Sequence, residues 1–197
     1  MLEDPCIWRY SFLSHPSDRW CAMSSDNPIS ADDQQERPGI EQWIVGFVDG
    51  EGCFSISIVK NATCRLGWQV QHEFSVTQAS SSRHALKLLA EHFGCGKIIS
   101  NTRTDNHREP LLRFSVKRRE DLSRIVVPFF EQHPLQTAKI NDFRLFTQVL
   151  HLMESGEHLR ARGLRDIALM TEQMNRKGRS RYLESSEAIR QPPRLRR

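Results

Sequence analysis

The 197-residue sequence predicts an α+β domain built on an antiparallel sheet. A short apolar helical pattern near residue 40 leads into two runs of apolar–polar alternation. A second helical pattern near residue 82 leads into two more strand patterns. From Arg119 onward the periodicity is helical. The order is therefore helix, two strands, helix, two strands, then helices.

The first helix is IEQWIVGFVDG, opened by Pro38-Gly39 and closed by Gly50 and Gly52. The strand after it alternates: Phe54, Ile56 and Ile58 point one way, Cys53, Ser55 and Ser57 the other. Residues 61–67 form a turn. The second strand places Val70, Phe74 and Val76 inward and Gln69, Gln71, Glu73, Ser75 and Thr77 outward. His72 falls on the inward parity and is read as a hydrogen-bonded core histidine, not a ligand. SSSRHALKLLAEHFG is a helix with a serine N-cap, a Gly94 stop and a core stripe of Ala85, Leu88, Leu89 and Phe93. Residues 97–101 form a short strand and 103–110 a polar loop. LLRFSVK sends Leu112, Phe114 and Val116 inward and Arg113, Ser115 and Lys117 outward. Helices follow at about 120–131, 137–154 and 159–174. Residues 1–38 read as a poorly ordered acidic leader, 39–175 as the domain and 176–197 as a basic flexible tail.

Composition narrows the class. Hydrophobic residues make up 38% and charged residues 26%, and no apolar stretch reaches the ~20 residues of a membrane span. Five cysteines without CxxC spacing argue against a disulfide scaffold and a zinc ribbon. The first ten residues lack a signal-peptide pattern, so the chain is read as intracellular with reduced thiols. Residues 1–41 hold eight acids against three arginines, a balance of −5, so the other 156 residues carry +9 of the net +4. A body this basic calls for a polyanionic partner, of which nucleic acid is the commonest. The outward sheet residues fit that partner. Ser55, Ser57, Gln69, Gln71, Glu73, Ser75, Lys97, Asn101, Arg103, Arg113 and Ser115 are base-edge and phosphate binders rather than a generic Lys/Glu surface.

The segment IVGFVDGEG, residues 44–52, carries the chemistry. Gly46 and Gly50 are four apart and share a helix face, which lets a second helix approach closely. Two such helices side by side would bring both Glu51 carboxylates to the bottom of one interface. Hard oxygen ligands so placed suit Mg²⁺. Gly50-Glu51-Gly52 alone would read as a helix stop and a turn.

The segment resembles the nine-residue motif of the LAGLIDADG homing endonucleases, with Asp49 and Glu51 at the two acid positions. FSVTQ, FSVKRREDL and PLQTAKINDF follow in the order and spacing of that family, over about residues 40–175. The resemblance implies an αββαββα fold and site-specific, double-strand DNA cleavage with Mg²⁺, or Mn²⁺ as substitute. It implies a long near-palindromic target, 3′ overhangs and a role in group I intron homing, in a bacterial cytoplasm or an organelle matrix. A single motif copy implies a homodimer joined through Ile44, Gly46, Phe47 and Gly50. Glu51 and Gly50 match the metal-binding positions. Gln78 matches a polar residue that positions the water network, and Lys117 matches a basic residue at the site's periphery. At a further position that is often basic, Ser82 is the direct match and Arg83 is one residue out of register. Asp49 is read as structural. Two other uses of the scaffold stay open: an RNA maturase that binds intron RNA, and a non-catalytic DNA-binding regulator.

Overall fold

The computed structural model describes residues 39–101, 109–174 and 180–183. Helix α1 (Ile40–Glu51) runs directly into strand β1 (Gly52–Lys60), which turns back as β2 (Trp68–Ala79). A 3₁₀ turn at Ser80–Ser82 opens α2 (Arg83–Phe93). Strands β3 (Lys97–Asn101) and β4 (Leu111–Val116) complete a four-stranded antiparallel sheet in the order β1-β2-β4-β3. Three helical stretches follow: α3 over residues 119–132, α4 (Lys139–Glu154) and α5 (Ala161–Gln173). The mixed α+β architecture and the element order are those the periodicity predicts.

Period-2 alternation decides which face of the sheet is covered. Phe54, Ile56, Val70, Phe74, Val76, Phe114 and Val116 share one parity, and all are buried. The helices pack on this face and leave the other open. Phe54 is the centre of the core, with ring centroids 5.0 Å from Phe74, 5.6 Å from Phe130, 5.2 Å from Phe143 and 5.4 Å from Phe146. These offset and edge-on pairs add about 0.5–1.5 kcal/mol each beyond the area they bury.

Local details depart from the sequence pattern. In α2 the buried stripe is Leu86, Leu89 and Phe93, while Ala85 and Leu88 are only half-buried. No serine side chain caps the helix; the 3₁₀ turn starts it instead. Gly94 does end it, at φ 60°. Helix α3 contains a π-type turn at Leu122–Val126, just before Pro128. Proline donates no N–H and its ring crowds the carbonyl four residues back, so a widened turn lets the helix continue. Within the stretch expected to be a flexible tail, Tyr182 and Leu183 are buried, and Tyr182 packs edge-on against Trp68 at 5.4 Å.

His72 takes the inward position, but neither ring nitrogen makes a hydrogen bond of good geometry with the described residues; the Lys117 backbone is its nearest polar influence. Burial first, then the Arg119 charge and the nearby His158, hold its pKa below the ordinary 6.5; the Lys117 backbone pulls the other way. His158 is lowered in the same direction, by burial and Arg119, against the Leu152 backbone. The unfolded chain therefore takes up protons first. The neutral folded form keeps its full stability above about pH 6.5 and loses it as the pH falls from there through the folded values. We expect thermal melts to show a falling Tm below that point and His72→Phe to flatten the slope. An unchanged slope in the variant would remove His72 from the cause.

Candidate active site and nucleic-acid interface

The motif helix presents two different carboxylates. Asp49 Oδ2 accepts the Gln136 N–H at 2.7 Å, and its Oδ1 accepts the Thr137 hydroxyl at 2.7 Å and the Thr137 N–H at 3.3 Å. Asp49 thus clasps the segment that leads into α4, in the structural role read for it. Glu51, two residues on, is exposed and accepts no hydrogen bond from the described residues. One motif acid is committed and the other is open.

Both acids sit in the last turn of α1, which contains no basic residue. That is the negative end of the helix dipole, where each carboxylate is unfavourable by about 0.3–1 kcal/mol. Lys139 answers part of the charge. Its ammonium donates to the Val48 carbonyl at 2.8 Å, the same oxygen that accepts the Gly52 N–H closing the helix. Burial lowers the Lys139 pKa, against the opposing pull of Asp49, Cys53, Glu51 and Asp142. Lys139 is thus the lysine that feels Glu51, and the sequence reading assigned it no role. Its signal lies in PLQTAKINDF, a stretch matched to the family only as spacing. Lys117 lies elsewhere, with Nζ 3.9 Å from Glu73 Oε1 on the open sheet face.

Gln78 lies two residues beyond Val76, which pairs with Gly52, so it borders the end of α1 by register. Arg83 and Ser82 are both exposed at the start of α2. The interface residues expected on α1 divide. Gly46 and Gly50 are exposed, and a Cβ on either would meet nothing within 4 Å. Phe47 is half-buried and stacks on Trp43 at 4.9 Å. Ile44 is fully buried and faces the chain's own core, so it does not belong to that outer face. The 100° step per residue turns it away from Gly46.

On the open sheet face, Ser55, Ser57, Gln69, Gln71, Glu73 and Lys117 border a concavity of about 260 Å³. Glu73 is its hub. Ser115 Oγ donates to Glu73 Oε1 at 2.6 Å, Arg113 lies 3.5 Å from the same oxygen, and Ser55 Oγ donates to the Glu73 carbonyl at 3.3 Å. Ser75 and Ser115 are only 8% and 7% exposed. They form the floor of the face and do not project as readers, because short side chains sink between the longer ones beside them. Lys97 is exposed; Asn101 pairs with Leu111 in the sheet. Arg103 lies outside the described residues.

A divalent metal fits the end of α1 by the chemistry of its donors. Glu51 supplies an uncommitted carboxylate, and the helix end supplies carbonyl oxygens and negative potential. Among the described residues there is no cluster of three or more His, Cys, Asp or Glu. The described residues thus offer a metal few ligands, as is usual for Mg²⁺, which keeps several waters. Among the described residues, no helix is long and apolar enough to cross a membrane.

A polar, cation-bearing sheet face beside an exposed acid has the charge pattern of a surface suited to a polyanion. Residues 44–150 match the LAGLIDADG endonuclease family model. The chain belongs to the LAGLIDADG endonuclease family. It is 34% identical over 125 residues to a probable intron-encoded endonuclease 2 of Neurospora crassa, covering 64% of this chain and 27% of that protein. The chain thus spans about a quarter of that relative's length. Among solved structures, the homing endonuclease I-TnaI is 37% identical, with TM-score 0.67, over 77% of this chain and 97% of that one. I-SmaMI, solved with an uncleaved DNA target in the presence of calcium ions, is 32% identical with TM-score 0.67, over 80% of this chain and 53% of that one.

The clasp generates a stability test. Asp49→Ala removes three hydrogen bonds from a partly exposed site where water substitutes in part, so we expect a loss of about 1–2 kcal/mol in urea denaturation with an unchanged slope. A loss below about 0.3 kcal/mol would show that the clasp does not hold the segment before α4.

Proposed function

We propose that this chain is a divalent-metal-dependent DNA endonuclease that acts as a homodimer. It cuts both strands of a long near-palindromic site, leaves 3′ overhangs and serves intron homing. The observation that carries the reading is the division of labour between the motif acids. Asp49 is spent on the fold, and Glu51 stands open at a helix end with negative potential. Family membership and the DNA-bound relative support the substrate class.

Glu51 and the Gly50 carbonyl would hold the metal, Mg²⁺ or Mn²⁺. When bound, it supplies a water of lowered pKa and Lewis-acid stabilisation of the leaving oxygen. Lys139 would offset negative charge building on the scissile phosphate. Gln78 would orient water by hydrogen bonding at the rim. Lys117, Arg113, Gln71, Gln69 and Lys97 would face the duplex, with phosphate contacts setting register and the glutamines and arginine reading base edges.

The test is cleavage of DNA carrying the fused exons that flank the gene, with the intron-containing allele as control. Glu51→Gln should reduce cleavage in Mg²⁺ by more than about 100-fold, beyond what losing an outer-shell partner costs. DNA affinity, measured in Ca²⁺, should stay within about threefold of wild type. An equal loss of binding would make Glu51 structural. Tight binding to intron RNA with no cutting in Mg²⁺ or Mn²⁺ would put splicing assistance in place of cleavage.

The dimer has its own test. An exposed helix glycine costs about 0.8–1 kcal/mol relative to alanine, and the single chain has room for a side chain at Gly46. Gly46→Leu should therefore leave the folded monomer at least as stable. Sedimentation should show the two-chain species lost, and cleavage should fall with it. A variant that still sediments as two chains would place the interface elsewhere.

A further inference from the structure

We infer that Ile99 reads the C5-methyl group of a thymine, beside the base pair faced by Arg113. The inference rests on the DNA-binding reading above and adds a specificity-determining residue to it.

Ile99 is out of character for its surroundings. Strand β3 alternates, with Ile98 paired to the buried Phe114 on the core side and Lys97 and Ile99 on the open side. Ile99 is 43% exposed, one of four large apolar side chains so exposed among the described residues. It pairs with Arg113, which pairs in turn with Thr77, so Thr77, Arg113 and Ile99 form one row across the sheet. The neighbouring row holds Ser75, Ser115 and Lys97.

The space beside Ile99 is a concavity of about 600 Å³, bordered by Lys97, Ser115, Lys117, Arg118 and Asp121. Asp121 lies 3.7 Å from Arg118, which leaves the border cationic in balance. An apolar protein partner gains nothing from such a border. A nucleic-acid duplex matches it, since phosphates meet the cations and a base edge meets the isoleucine. In the major groove the standard bases show one apolar group, the thymine methyl.

The experiment uses two randomised duplex libraries, one with thymine and one with uracil in its place, bound by the full chain in Ca²⁺ and sequenced. Uracil keeps every hydrogen-bonding group of thymine and lacks only the methyl. With the thymine library, wild type should enrich thymine at one position per half-site. That enrichment should drop about 3- to 5-fold with uracil, the worth of one buried methyl. Ile99→Ser should lose the same preference on the thymine library and become indifferent to the swap, while Ile99→Val, which keeps an apolar tip, should retain it. The position should lie next to the one that Arg113→Ala relaxes. Wild type selecting the same bases from both libraries, or Ile99→Ser keeping the thymine preference, would overturn the inference and leave the DNA-binding reading intact. No enriched sequence from either library would sink that reading itself.

Discussion

The site depends on how the end of α1 is tied to the start of α4. Asp49 accepts three hydrogen bonds from Gln136 and Thr137, and Lys139 returns one to the Val48 carbonyl. This two-way clasp fixes the last turn of α1 against a segment almost ninety residues away in sequence. Without it, two carboxylates at the negative end of a helix would favour fraying. With it, the charge of Asp49 is absorbed by donors and that of Glu51 is not. The fold thus keeps one acid without a hydrogen-bond donor among the described residues, balanced only in part by Lys139, where α1 passes into β1. A helix end that compensated both acids would be more stable and would have no cation to attract.

The open sheet face follows the same logic with opposite signs. Two of its cations are drawn together: Arg113 and Lys117 both lean towards Glu73 Oε1, and Ser115 donates to the same atom. A single half-buried acid therefore draws two cations together, and in the DNA-binding role we propose they reach the duplex partly oriented. Ordering these long side chains in advance reduces the entropy lost on binding.

Much of this was legible in the sequence, and the misses have physical causes. Strand phase was readable because a half-buried strand repeats every two residues, so Phe54, Phe74 and Phe114 declared the core side directly. The motif helix was readable through Gly46, Gly50 and the acids. Ile44 was placed on the outer face with its motif neighbours, although two helical steps of 100° separate it from Gly46. In α2, leucines at 86, 88 and 89 fit more than one stripe, and packing chose Leu86 and Leu89. Lys139 was missed because proximity to Glu51 is made by a long-range contact. A lysine at a helix start and one at a strand end look alike until the chain is folded. The hub role of Glu73 is of the same kind, since it needs β1, β2 and β4 side by side.

The last link joins the helix face to the chemistry. Gly46 and Gly50 leave α1 with vacant space where side chains would stand, bordered by the stacked Trp43 and Phe47. In the homodimer we propose, a twofold axis passes along this face, and an isologous contact sets each residue near the axis against its own copy. The glycines then meet glycines, and the helices approach closely. Glu51 follows the same rule and meets Glu51. Two carboxylates brought together repel, and a cation between them relieves that repulsion. A divalent metal removes that conflict, so in the dimer the cation is an electrostatic requirement of the interface as well as a reagent. The closer the glycines let the helices come, the stronger that requirement becomes. On this argument the helix contact, the metal and the symmetry of the DNA target follow from one another, and each fails if the two copies of α1 do not meet.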